Sequence, residues 1–197
     1  MLEKRRHQRI RFDEPLPMRI GHHGARAAGA LENLSLGGLM FRTGLPLSVG
    51  ETIGCEFRVF ASPLIDLAAV VASRVGAGLY GARFQAGPMS RHLIDDAIND
   101  AIDQGKAGIV SLHELPGGRV MRVTGALTAG HRNDFMHGVE RVGVVEIDLA
   151  GVTLIDAAGL ALCRLAIDRF DVRIARRSPC VEAAWPPSDA FDPAHRP

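Results

Sequence analysis

Two short segments hold the residue types able to do chemistry in this chain: Arg5-Arg6-His7-Gln8-Arg9, and Asn33-Leu34-Ser35-Leu36-Gly37-Gly38. Guanidinium groups grip phosphate in bidentate fashion, read the O6/N7 edge of guanine, and stack on a base plane. The second segment offers an amide, a hydroxyl and a glycine at a bend, where backbone can approach a ligand closely. Asn33 accepts through its amide oxygen and donates through its nitrogen, Ser35 adds a hydroxyl, and Gly38 keeps a Cβ out of the way. In that order and at that spacing they read as two halves of one site for an anionic purine. No nucleophile with a matched base and no Gly-x-x-x-x-Gly-Lys-Ser/Thr phosphate loop accompanies them, so recognition is expected and catalysis is not.

Arg-x-x-x-Arg followed by Asn-x-Ser-x-x-Gly resembles the pattern of PilZ domains, bacterial receptors for the second messenger cyclic di-GMP, over about the first half of the chain. The resemblance makes Arg5 and Arg9 the matched arginines and Arg6 an accessory cation, with Asn33, Ser35 and Gly38 completing a cyclic di-GMP site. Family members often carry Asp where Asn33 stands, and the family also uses Asn there. The resemblance further implies an antiparallel six-stranded β-barrel, and Tyr80-Gly81-Ala82-Arg83-Phe84 matches the Gly-x-x-Phe ending common in the family.

The elements that must position these residues follow from patterning. Between Met18 and Gln85 the sequence is a series of short β-like runs: Met18 to Ile20, a Gly-rich break from Gly21 to Gly29, then Ala30 to Arg42, Thr52 to Phe60, Leu64 to Val75 and Leu79 to Phe84. Such spacing suggests a small antiparallel barrel. From Ser90 to Gln104 the period becomes helical, with Leu93, Ile94, Ala97, Ile98, Ala101 and Ile102 on one face, Ser90 as the expected N-cap and Gly105 as the stop. Gln104 to Gly108 is expected to be a linker.

The second half alternates strands and helices. Ile109 to Leu112 and Arg119 to Thr124 flank Pro116-Gly117-Gly118 as a hairpin; Thr128 to Arg141 reads as a helix, Val142 to Leu149 as an apolar strand, Ala158 to Phe170 as a helix and Val172 to Ala175 as a strand. Glu146-Ile147-Asp148-Leu149 and Leu154 to Leu162 look like the central strand and following helix of STAS domains, the anti-sigma factor antagonist family. Asp156 is expected to cap that helix. Phospho-regulated members carry Ser or Thr after this Asp, whereas Ala157 and Ala158 have no hydroxyl, which leaves an interaction module without the phosphorylation switch. The expected fold is thus α+β: an N-terminal barrel with a closing helix over residues 1–106, a small α/β STAS-like domain over 107–185, and a Pro-rich disordered tail over 186–197.

Composition narrows the function. The chain has 197 residues, enough for two modest domains, with 47% hydrophobic and 23% charged content. Its net charge of +1 gives no whole-protein field for nucleic acid, so basic chemistry must come from the local cluster of Lys4, Arg5, Arg6, Arg9 and Arg11. Cys55, Cys163 and Cys180 are scattered, odd in number and fit a reducing cytoplasm. No apolar run is long enough for a signal core or a membrane span. His131, Asp134 and His137 on the expected helix read as solvated, and His22-His23 as turn residues, so neither a metal nor a cofactor is expected. The leading expectation is a cytoplasmic, non-enzymatic cyclic di-GMP receptor that couples ligand to an unidentified protein partner. Two other readings stay open: a ligand-independent adaptor with a degenerate site, and nonspecific binding of polyanions or membrane surfaces by the basic segment.

Overall fold

A computed structural model describes residues 8–185. Strand β1, Ile10–His22, buries Ile10, Phe12, Met18 and Ile20, and its register slips between Arg11 and Leu16 where Pro15 cannot donate to a ladder. It returns directly into β2, Ala25–Ser35, through a two-residue turn at His23 and Gly24, both with positive φ. The Gly-rich stretch from Gly21 to Gly29 is therefore a paired hairpin and not the expected break. Its small residues are tolerated because cross-strand hydrogen bonding, not side-chain bulk, holds them in register.

Strands β3, Gly38–Thr43, β4, Thr52–Phe57, β5, Ile65–Gly76, and β6, Leu79–Gln85, complete the barrel. The order β1-β2-β3-β6-β5-β4, with β4 returning to pair with β1, closes a six-stranded antiparallel ring. Closure leaves no free edge and fills the interior with Phe41, Phe57, Leu31, Leu34, Leu39, Ile53 and Ile65, all at most 2% exposed. Helix α1, Pro88–Asp103, lays Ile94, Ala97, Ile98, Ala101 and Ile102 on this core. Each buried isoleucine there contributes about 2 kcal/mol. The helix starts earlier than the expected Ser90 cap, because Pro88 presets the first helical φ and Gly87 occupies the N-cap without a side-chain bond.

Residues 104–108 are not a free linker. Gln104 ends α1, Gly105 turns the chain at φ +64°, and Lys106 lies 5.2 Å over the Phe60 ring. Ala107, fully buried, begins strand β7, Ala107–Leu115, which pairs Phe12 with Ala107 and Arg11 with Gly108. Through these pairs the sheet continues past the barrel as β1-β7-β8-β9-β10, with β8 Gly118–Leu127, β9 Glu146–Ile155 and β10 Arg173–Arg177.

The β7–β8 hairpin is antiparallel, whereas β8–β9 and β9–β10 are parallel. The connection from β8 holds a 3₁₀ turn at Ala129–His131, helix α2 at Arg132–Met136 and a π-turn at His137–Val142, in place of one continuous helix. Left-handed Gly143 ends it. Strand β9 consequently begins at Glu146, later than the expected Val142, and runs on to Ile155. Asp156 caps helix α3, Ala157–Phe170, accepting the Gly159 N–H at 2.7 Å as expected. Helix α4, Pro179–Ala184, follows, and Trp185 closes a second core with Phe135, Met121, Leu149 and Leu162, the Arg177 guanidinium 4.5 Å above its ring. The expected tail, 186–197, lies outside the described residues.

Candidate functional site

The hairpin joining β2 to β3 is built by its own side chains. Ser35 and Gly38 are the last cross-strand pair, and the Ser35 hydroxyl donates to the Gly38 carbonyl at 3.0 Å across the two-residue turn. The Gly37 carbonyl then accepts the Phe84 N–H at 3.1 Å, tying the turn to β6. Gly38 does not carry a positive φ. It is needed because β3 crosses β6 closely here: a Cβ would sit 2.1 Å from the Ala82 carbonyl oxygen.

Beside this turn, the end of β6 and the first turns of α1 enclose an open cavity of about 880 Å³. Its lining includes Arg9, Ser35, Gly38, Arg83, Arg91 and Asp95. Arg9 enters from the residues leading into β1, and Arg83 stands opposite Gly38 on β6. Arg91 and Asp95 sit one turn apart on α1. Arg83 and Arg91 are exposed. Three arginines against one aspartate make the cavity positive, and backbone at Gly37 and Gly38 is open to it. The arrangement suits a polyanion with planar groups, since guanidinium pairs with phosphate and stacks on rings.

Arg9, Ser35 and Gly38 line one cavity. Arg5 and Arg6 lie outside the described residues. Asn33 stands apart: it is 2% exposed, pairs through its backbone with Arg11 and Met40, and does not line the cavity. Its Oδ1 is buried with no hydrogen-bond partner among the described residues, an arrangement that costs about 1–3 kcal/mol until an N–H reaches it. Arg83 and Arg91 were not anticipated as site residues. Arg83 sits inside the Tyr80 to Phe84 run and is itself the residue that registers against Gly38, while Arg91 reads in sequence as an ordinary polar position on an amphipathic helix.

Of the residues expected to be solvated on the second half, His137 is exposed, whereas His131 and Asp134 are engaged in the fold. His131 is 1% exposed; its Nδ1 accepts the Thr128 N–H at 3.3 Å, which leaves the proton on Nε2 facing the Gly108 backbone. Burial holds its pKa below the ordinary value, with Arg11 acting in the same direction and Gly108, Asp134 and Asp13 against it. Asp134 is committed to Arg11.

The family model described as PilZ domain matches residues 3–100. No curated protein matches the chain. Among solved structures, the PilZ domain of YcgR from Escherichia coli with c-di-GMP is 19% identical, covering 52% of this chain and 97% of that one, with a TM-score of 0.43. The K. pneumonia MrkH complex with c-di-GMP is 18% identical, covering 54% of this chain and 56% of that one, with a TM-score of 0.45. The PilZ domain of CeSA from a cellulose-synthesizing bacterium is 15% identical, covering 44% and 91%, with a TM-score of 0.37. The chain thus spans about half the length of MrkH.

Proposed function

Because residues 3–100 belong to the PilZ domain family, we propose that the arginine-lined cavity beside the Ser35–Gly38 turn binds cyclic di-GMP. The observation that carries this reading is the convergence of Arg9, Ser35 and Gly38 on one cavity with Arg83 and Arg91. Two phosphates and two guanines supply anionic and planar partners for guanidinium groups. Arg5 and Arg6 would add further charge to the contacts with the ligand.

The protein acts as a cytoplasmic receptor and not an enzyme in this reading, and its output passes through the second lobe to a protein partner. Support for coupling comes from β1 and its lead-in: Arg9 lines the cavity, while Arg11, two residues on, bonds Asp134 across the lobe boundary. A STAS-like identity for residues 107–185 rests on its hairpin, its parallel β8-β9-β10 order and the Asp156-capped α3.

Calorimetric titration of the full chain with cyclic di-GMP, against GTP and cyclic di-AMP, tests the reading. Saturable binding of cyclic di-GMP alone, weakened at least about tenfold in Arg9→Ala, is expected from the loss of one charge-assisted contact. Equal binding of all three nucleotides, or none, sinks it.

A further inference from the structure

At the end of β1 remote from Arg9, the hairpin turn brings two imidazoles and a carboxylate together. His22, His23 and Glu51 each present one ligand atom, and these atoms all lie within 4.8 Å of one another. In a regular strand, neighbouring side chains point to opposite faces. Here His23 sits at φ +46°, and this left-handed turn residue swings its ring back beside that of His22, centroid to centroid 4.1 Å.

From the other side, Glu51 is fixed before β4 starts. Its backbone N–H donates to the Ser48 carbonyl at 3.2 Å, its own carbonyl accepts from Val71 at 2.9 Å, and its Oε2 accepts the Ser48 N–H at 2.8 Å. That oxygen stands 3.3 Å from His22 Nε2. The nitrogen is buried, yet the contact is misaligned for a hydrogen bond, and Nε2 has no other partner among the described residues. A buried ring nitrogen beside a carboxylate with no hydrogen bond between them is poorly used as a polar contact but well used as half of a coordination shell.

We propose that His22, His23 and Glu51 form a binding site for a divalent transition ion of the zinc class. Bond lengths of about 2.0–2.2 Å to imidazole nitrogen and carboxylate oxygen place tetrahedral ligand atoms about 3.4 Å apart, which the His22 to Glu51 spacing already meets. Two neutral imidazoles and one carboxylate suit Zn²⁺ or Co²⁺ and discriminate against Mg²⁺ and Ca²⁺, which favour all-oxygen shells. The exposed His23 and the turn leave the fourth position to water. The Ser48 N–H on Glu51 orients the carboxylate in the way outer-shell partners orient metal ligands. Binding would clip the β1–β2 turn to the start of β4, far from the nucleotide cavity, and it stands independently of the cyclic di-GMP reading.

The test uses chelator-treated full-length protein and no nucleotide. Calorimetry with Zn²⁺ should give one site per chain, and Co²⁺ should produce the intense visible bands of four-coordinate geometry. His23→Asn removes the imidazole while keeping a residue that tolerates left-handed φ, so the turn survives; it and Glu51→Gln should each weaken Zn²⁺ binding at least about tenfold. Melting should shift upward with Zn²⁺ in the wild type and not in either variant. Wild-type protein that neither binds nor shifts overturns the proposal. So does Zn²⁺ or Co²⁺ binding of undiminished affinity in His23→Asn with Glu51→Gln, which would place the ion on other histidines.

Discussion

Arg11, at the start of the first strand, donates from its guanidinium to both carboxylate oxygens of Asp134, a residue 123 positions further along the chain. The pair spans the boundary between the barrel and the second lobe, just beside the two backbone pairs that join β1 to β7. Fork geometry sets it above an ordinary surface pair, although the side chains keep 24% and 45% of their exposure and water screens part of the attraction. A double-mutant cycle of Arg11→Ala and Asp134→Ala in urea unfolding should show a coupling of about 0.5–1 kcal/mol. Strict additivity would mean that the two lobes are held by the backbone pairs and apolar contacts alone.

Gly38 was expected to matter by letting backbone approach a ligand closely, and its geometry adds a requirement from strand crossing. With the Ala82 carbonyl 2.1 Å from where a Cβ would stand, even Gly38→Ala must push β3 away from β6. Backbone offers no flexible end to move aside, so a loss of about 2–4 kcal/mol is expected in ligand-free protein. Thermal unfolding without nucleotide decides it: a wild-type midpoint for Gly38→Val would show that the crossing can open at no cost.

Arg83 and Arg91 extend the set of cationic contacts beyond the lead-in. If both face bound phosphate, Arg83→Ala and Arg91→Ala should each weaken cyclic di-GMP binding about tenfold and flatten its salt dependence. Neither change should alter stability by more than about 0.5 kcal/mol, since both side chains are exposed. Affinity unchanged in the double variant would confine recognition to Arg9 and the segment before it.

How far the fold and site could be read in the sequence depended on whether the signal was local. Alternating apolar residues around Leu39 to Phe41 and Cys55 to Val59 and the helical period over 93–102 are local, and those elements appear close to where they were expected. The β1–β2 hairpin hid behind Gly21 to Gly29, because small residues carry no period even when paired along their whole length. The joining of the lobes was illegible: Ala107 and Gly108 look like linker residues, and only β1 lying beside them makes them strand. The cavity showed the same division. Ser35 and Gly38 announced themselves by type, whereas Arg83 and Arg91 become site residues only through the β3–β6 register and the seating of α1. His131 failed for the opposite reason: histidine on a polar-looking segment reads as solvated until the approach of β1 and β7 buries it.

That buried histidine makes stability depend on pH at the lobe boundary. His131 packs against Gly108 of β7, whose added Cβ would meet Nε2 at 2.7 Å, and Gly130 beside it lies against the Phe12 backbone. Its pKa falls below the ordinary 6.5 chiefly because burial penalises the charged ring, with the Arg11 guanidinium adding to the effect and Asp134 and Asp13 opposing it. In the unfolded chain the imidazole takes a proton as pH drops through about 6.5, while the folded protein still refuses it. Protons therefore favour the unfolded state in that window. The stability contributed by the neutral ring is complete above about pH 6.5, declines on acidification, and levels off once the folded form also protonates. The decline is limited to about 1.4 kcal/mol per pH unit for one proton. Urea unfolding of the wild type and His131→Gln between about pH 7.5 and pH 5 isolates this contribution, because the other histidines and the carboxylates titrate in both proteins. The wild type should lose more stability than the variant across that range, whatever the variant's starting value. Parallel curves would mean that His131 accepts its proton in place, with Asp134 and Asp13 carrying the charge.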